Sequence, residues 1–136
     1  MTLFIDASAI VAIVAREPEA RVFGDRIDRE EDRLTSALAV WEAARSLPER
    51  RGVSFDEARV LVNDFLRAGR VRVVPVGAEE AEAALDAHGR YGKGVHPAGL
   101  NFGDCFSYAC AKRHGADILF KGDDFIHTDL PDAMLA

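Results

Sequence analysis

The hydrophobic pattern along the chain alternates between short runs of strand length and longer stretches with one apolar side. Residues 2–5, TLFI, form the first run and predict a buried strand that turns at Asp6. SAIVAIVAR follows with helical composition and Ser8 available as its cap; Glu17-Pro18-Glu19 then starts a second helix carrying Val22, Phe23 and Ile27 on one side. DRLTS reads as a second short strand ending at Thr35-Ser36, an N-cap for the helix ALAVWEAARSLPERRG, which Gly52 closes. Ser54 to Glu57 is a capping box that opens FDEARVLVNDFLRAG, ended by Gly69. RVRVVPV then reads as a strand and AEEAEAALDAHGRYG as a helix. Residues 92–101 carry three glycines and a proline and predict a loop, FGDCFSYACAKRHG a helix closed by Gly115, and ADILFKGDDF a strand running into a turn.

Strands separated by helices throughout predict an α/β fold, a three-layer α/β/α sandwich with a mainly parallel sheet. With no repeat, linker or low-complexity segment, residues 1–136 read as a single domain. The longest apolar stretches are broken by Asp6, Arg16 or Asp117 and fall short of the ~20 residues needed to cross a bilayer. No basic region precedes the first of them, which argues against a signal peptide, so the expectation is a soluble cytoplasmic protein without a membrane partner. Cys105 and Cys110 lie in one predicted helix about 140° apart around its axis, a placement for buried small hydrophobes rather than a disulfide or zinc site.

The net charge of −6 argues against a broad nucleic-acid surface, which would show as a basic face. That objection weakens if acids gather at one metal site: with four of the 23 acids so committed, 19 stand against 17 Lys plus Arg.

Several acids sit where such a site would form. In open parallel sheets ligands bind at the carboxyl ends of the strands, where Asp6 follows the first strand and Asp123 and Asp124 follow Ile118-Leu119-Phe120. Glu42 shares a helical face with Leu38 and Trp41, and Asp104 opens the helix that continues with Cys105 and Phe106. A buried carboxylate without a partner costs several kcal/mol, so each must be paired, solvated or bound to metal. Taken singly, Asp6 suits a helix cap, Glu42 a pair with Arg45, Asp104 a capping box with Asn101, and Asp123 a turn. Taken together, acids from four segments without His or Cys ligand spacing suit a hard cation such as Mg²⁺ or Mn²⁺ that also keeps phosphate oxygens in its shell.

FIDASAIVAI at the start, VWEAARSL around Glu42, and LNFGDCFSYACAKRHGADILFKGDDF near the end resemble a PIN-domain ribonuclease, most of all the VapC toxin of a bacterial toxin–antitoxin pair. The resemblance spans essentially the whole chain. Its most specific part is FGDC-x-x-YA-x-A followed by a strand and KG[ND]DF. It implies a PIN-like sandwich and a metal site of Asp6, Glu42, Asp104 and Asp123, with Asp124 the adjacent candidate for the fourth position and Ser8 a hydroxyl supporting the first acid. Many PIN domains carry Asn after that hydroxyl, where this chain has Ala9.

The same resemblance implies an Mg²⁺- or Mn²⁺-dependent endoribonuclease acting through water and leaving a 5′-phosphate and a 3′-hydroxyl. It also implies a VapB-like antitoxin that places a basic side chain in the acidic site, a tRNA or other structured RNA as substrate, and a homodimer. The stretch HGRYGKGVHPAG offers Arg90, Tyr91, Lys93 and His96 to phosphates and unpaired bases, and Arg113 and Lys121 are further phosphate candidates. Phe23, Ile27, Phe55, Leu61 and Phe65 serve either the antitoxin groove or the core, the core being the expectation for most.

Three other readings remain. A receiver-type signalling domain would want an acid pair after its first strand, where this chain has Asp6 followed by Ala7. A non-catalytic PIN module would bind RNA or protein without metal. A DNA nuclease with a similar acid cluster would carry added clamping segments, for which 136 residues leave little room.

Overall fold

The computed structural model describes residues 1–135. In chain order the elements are β1 (Thr2–Ile5), α1 (Ala7–Val14), α2 (Ala20–Asp28), β2 (Asp32–Ser36), α3 (Ala37–Arg51), α4 (Phe55–Ala68), β3 (Arg72–Val74), α5 (Ala78–Tyr91), α6 (Phe102–Arg113) and β4 (Asp117–Leu119). The four strands form one all-parallel sheet in the order β3-β2-β1-β4, with Phe4 aligned to Leu34 on one side and Ile118 on the other. The predicted α/β sandwich is thus the observed one.

Alternation along the strands divides the core in two. Leu3, Ile5 and Leu119 face α1 to α4, packing on Ile10, Leu47 and Val62, whereas Phe4, Leu34 and Ile118 face α5 and α6, packing on Leu100, Tyr108 and Ala109. Most of these side chains are fully buried, each worth roughly 1.5–3 kcal/mol of transfer free energy. Phe23 and Ile27 belong to this core, as expected, while Phe55 is exposed.

The caps account for most of the helix ends. Ser36 accepts from Ala39 N–H and Ser54 from Glu57 N–H, and Gly52 takes the left-handed conformation (φ 74°) that ends α3. Of the two caps the sequence offered for α1, Ser8 and Asp6, it is Asp6 that serves. Two details differ from the sequence reading. The second helix begins at Ala20, leaving Pro18 in the turn before it. At the end of α4 the left-handed residue is Arg70 (φ 50°), while Gly69 is needed because a side chain there would press on the Phe65 carbonyl at 3.1 Å.

The sheet order reverses at β1. The chain moves from β1 to β2 and β3 in one direction, then crosses back to place β4 on the other flank. The carboxyl ends of β1 and β4 therefore frame the crevice where open α/β sheets bind ligands.

Candidate active site

Asp6 leaves β1 at that crevice, only 6% exposed, with its backbone N–H held by the Leu119 carbonyl of β4. Its Oδ2 accepts from Ser8 N–H at 3.0 Å and from the Ser8 hydroxyl at 2.6 Å. Both bonds fall on one oxygen, which leaves Oδ1 to the cleft. The Ser8 hydroxyl in turn accepts the Lys121 backbone N–H at 3.0 Å, so one side chain ties the acid to the segment after β4.

Asp104 is the N3 residue of α6 and 8% exposed. It forms the capping box expected with Asn101: Asn101 N–H donates to Asp104 Oδ2 at 3.1 Å and Asp104 N–H to Asn101 Oδ1 at 2.9 Å. Burial pushes its carboxyl well above the usual range, and the charges of Asp124 and Asp6 push the same way, against the pull of the Asn101 N–H. One oxygen serves the helix end, which leaves Oδ1 to the cleft.

Glu42 comes from the middle of α3 and is half-buried. Its pKa is raised to about 7, first by burial and then by the negative charge of Asp6. The partner suggested by sequence, Arg45, stacks instead over the Trp41 ring at 5.6 Å. The carboxylate has its place because residue 103 is glycine: a Cβ there would sit 2.6 Å from Glu42 Cδ and closer still to both oxygens.

Of the two adjacent acids after β4, both exposed, Asp124 lines the cleft and raises Asp104 by its charge, whereas Asp123 stands outside the lining. The sequence left Asp123 and Asp124 as adjacent candidates for the fourth position, and of the two it is Asp124 that lines the cleft. The cleft, ≈ 370 Å³, is bounded by Asp6, Ser8, Glu17, Glu42, Ser46, Arg50, Asn101, Asp104, Lys121 and Asp124 among others.

The remaining sequence candidates fall elsewhere. Arg90 and Tyr91 end α5 and bond each other, Tyr91 packs edge-on to His96, and His96 Nδ1 accepts from Ala98 N–H at 3.0 Å. Lys93 borders an apolar pocket between α5 and α6, and Arg113 is paired with Glu79 and, at 2.6 Å, Glu80. Among the RNA-contact candidates Lys121 alone lines the acidic cleft. Sequence reasoning missed Glu17, Ser46 and Arg50; the four-residue spacing of Glu42, Ser46 and Arg50 along one helix was the available signal for the last two.

An all-oxygen donor set from four segments, two of its carboxyls pushed up by burial and by the charges of Asp6 and Asp124, fits a hard divalent cation. The space that Gly103 cedes to the Glu42 carboxylate supports the same fit. Among the described residues no three His, Cys, Asp or Glu side chains are close enough to hold an ion as they stand. The acids share one cleft without forming a closed coordination sphere, an arrangement that leaves part of a cation's shell to water.

Known proteins share this arrangement of sequence and fold. The family model of the PIN domain matches residues 3–130. Ribonuclease VapC30 of Mycobacterium tuberculosis is 41% identical over 133 residues, covering 98% of this chain and 99% of that protein. Ribonuclease VapC of Mycolicibacterium smegmatis is 41% identical over 128 residues, with 94% and 97% covered. Among solved structures, the crystal structure of Mycobacterium tuberculosis VapC20, a sarcin-ricin loop cleaving toxin, superposes with a TM-score of 0.76 at 21% identity, covering 95% of this chain and 96% of that one. At that identity the likeness speaks for the fold.

Proposed function

The chain belongs to the PIN-domain family, and on that premise we propose that it is the endoribonuclease toxin of a VapBC-type toxin–antitoxin pair, hydrolysing RNA with the help of Mg²⁺ or Mn²⁺. The observation that carries the reading is the convergence of Asp6, Glu42, Asp104 and Asp124 on one cleft at the switch point of the sheet. Near full-length identity of about 40% to proteins named VapC ribonucleases supports the reaction and the toxin assignment.

In this reading Asp6, Glu42, Asp104 and Asp124 hold the cation. Bound there, it supplies charge neutralisation at the phosphoryl oxygens and a lowered pKa for attacking water. Ser8 fixes the Asp6 carboxylate through its two bonds to Oδ2, and Asn101 fixes that of Asp104. Gly103 keeps the position of Glu42 open. Hydrolysis needs no protein nucleophile, since water attacks phosphorus, the ribose 3′-oxygen leaves with a proton, and the phosphate stays on the 5′ side.

The partners of this reading are a VapB-like antitoxin, a second copy of the chain, and a structured RNA in the cytoplasm. The exposed apolar residues Trp41 and Phe102, where α3 and α6 meet, and Leu85, in the groove between α5 and α6, support an antitoxin contact. No helix among the described residues is long and apolar enough to cross a membrane.

The test is to incubate the purified chain, freed of any antitoxin, with total cellular RNA plus Mg²⁺ or Mn²⁺, alongside EDTA and an Asp104→Asn control. Discrete fragments that vanish in both controls are expected. RNA left intact throughout, while the chain still binds it without metal, would replace the enzyme by a binding module.

A further inference from the structure

The face of α3 that borders the cleft carries Glu42, Ser46 and Arg50 at successive turns: an acid, a hydroxyl, a base. Eight residues of helix rise about 12 Å, so Arg50 stands beyond the four acids rather than among them. Glu17, in the turn after α1, reaches two cations at once. Arg50 Nη1 donates to Glu17 Oε2 at 2.8 Å, and Lys121 Nζ donates to Glu17 Oε1 at 3.0 Å while standing 3.4 Å from Glu19 Oε1. Lys121 is fixed at a second point, its backbone N–H resting on the Ser8 hydroxyl that holds Asp6.

Arg50 and Lys121 are the cations that line this cleft, against five acids. Such a field repels a polyanion unless cations meet it on the way in. Arg50 spends one N–H on Glu17 and keeps the rest of its fork, and the Lys121 ammonium keeps a third proton. Ion pairs whose cations still reach solvent, as here, contribute modestly to folding. Donors already held in position, by contrast, suit charge-assisted bonds to phosphate.

Resting on the ribonuclease reading above, we propose that Ser46, Arg50 and Lys121 form a subsite for an RNA phosphate flanking the one that is cleaved, and that Glu17 is the positioning residue that holds both cations there. The subsite sets where the strand lies and leaves the reacting phosphate to the acids.

The test measures binding of a short single-stranded RNA, with Ca²⁺ in place of the catalytic cation, across a series of salt concentrations. Arg50→Gln and Lys121→Gln are each expected to reduce the salt slope by about 0.7, the value of one phosphate contact on a single strand, and Lys121→Arg to restore it. Glu17→Gln removes a negative charge from the cleft. Charge counting alone therefore predicts tighter binding, whereas the positioning role predicts binding weakened about threefold or more. Melting curves check that each variant is folded, with Arg50→Lys as the milder replacement. Unchanged slopes in both Gln variants of a chain that still cuts RNA would overturn the subsite alone, and tighter binding by Glu17→Gln the role of Glu17. An unaltered chain that neither binds nor cuts RNA would overturn this proposal together with the ribonuclease reading.

Discussion

Gly103 and Glu42 meet across the junction of α6 and α3 so closely that the carboxylate occupies the place of the side chain Gly103 lacks. Gly103 is helical with no positive φ, so its glycine answers to space and not to backbone conformation. Gly103→Ala would favour the helix by up to about 1 kcal/mol while driving Glu42 out of position. The expected result is a melting temperature within a few degrees of the parent and cleavage lowered about 100-fold, the scale on which small misplacements act. Retained cleavage would mean that Glu42 works from elsewhere.

Metal-free stability should fall as pH rises. The folded pKa of Glu42 lies at about 7 against an ordinary 4.5, so between those values the folded chain binds more protons than the unfolded one. The penalty is absent below about 4.5, grows through the window and is complete above about 7. Allowing for partial exposure it is on the order of 1–2 kcal/mol. Urea unfolding in EDTA at pH 5 and pH 8 should show that drop, flattened in Glu42→Gln, which also gains stability at pH 8 while losing cleavage. Parallel pH curves for the two proteins would contradict the assignment.

Ser8→Ala cuts two links at once, the hydroxyl bond to Asp6 and the bond from Lys121 N–H. A loss of roughly 1–3 kcal/mol in stability is expected, since Asp6 is buried and its freed carboxylate oxygen finds little solvent. Single-turnover cleavage should fall about tenfold from the misaligned Asp6, with Ser8→Thr recovering most of it. If Ser8→Ala cuts at the parental rate, the hydroxyl serves the fold alone.

The adjacent acids after β4 separate cleanly by substitution. Asp124→Asn should lower metal-dependent cleavage at least tenfold, since Asp124 faces Asp104 across the cleft. Asp123→Asn, at an exposed position outside the lining, should stay within about twofold of the parent. Reversed magnitudes would return the fourth position to Asp123.

The strands, helices and parallel sheet were legible because apolar runs, caps and glycines all agreed. Ser36, Ser54 and Gly52 each do locally what their chemistry favours. Asp6, Glu42 and Asp104 could be singled out as acids in apolar surroundings, and they do share one cleft. What escaped depended on the path of turns. The segment after β4 is irregular, and one residue more or less decides whether Asp123 or Asp124 points inward. Arg90 and His96 both pack on Tyr91, which in turn meets Tyr108, contacts between the end of α5, the loop after it and α6 that no local pattern announces. Glu17 gave no local signal, since its importance comes from two cations 33 and 104 residues away in the chain.

The sheet order has a consequence for synthesis. The central strand is the first made, yet one of its flanks is covered only by β4, and the cleft needs acids from positions 6, 42, 104 and 124. At 5–20 residues per second a ribosome adds Asp124 roughly 6 to 24 s after Asp6. Until then the growing chain holds scattered carboxylates and no cleft. The cleft is thus the last feature of the fold to be assembled, because it waits for the strand made last.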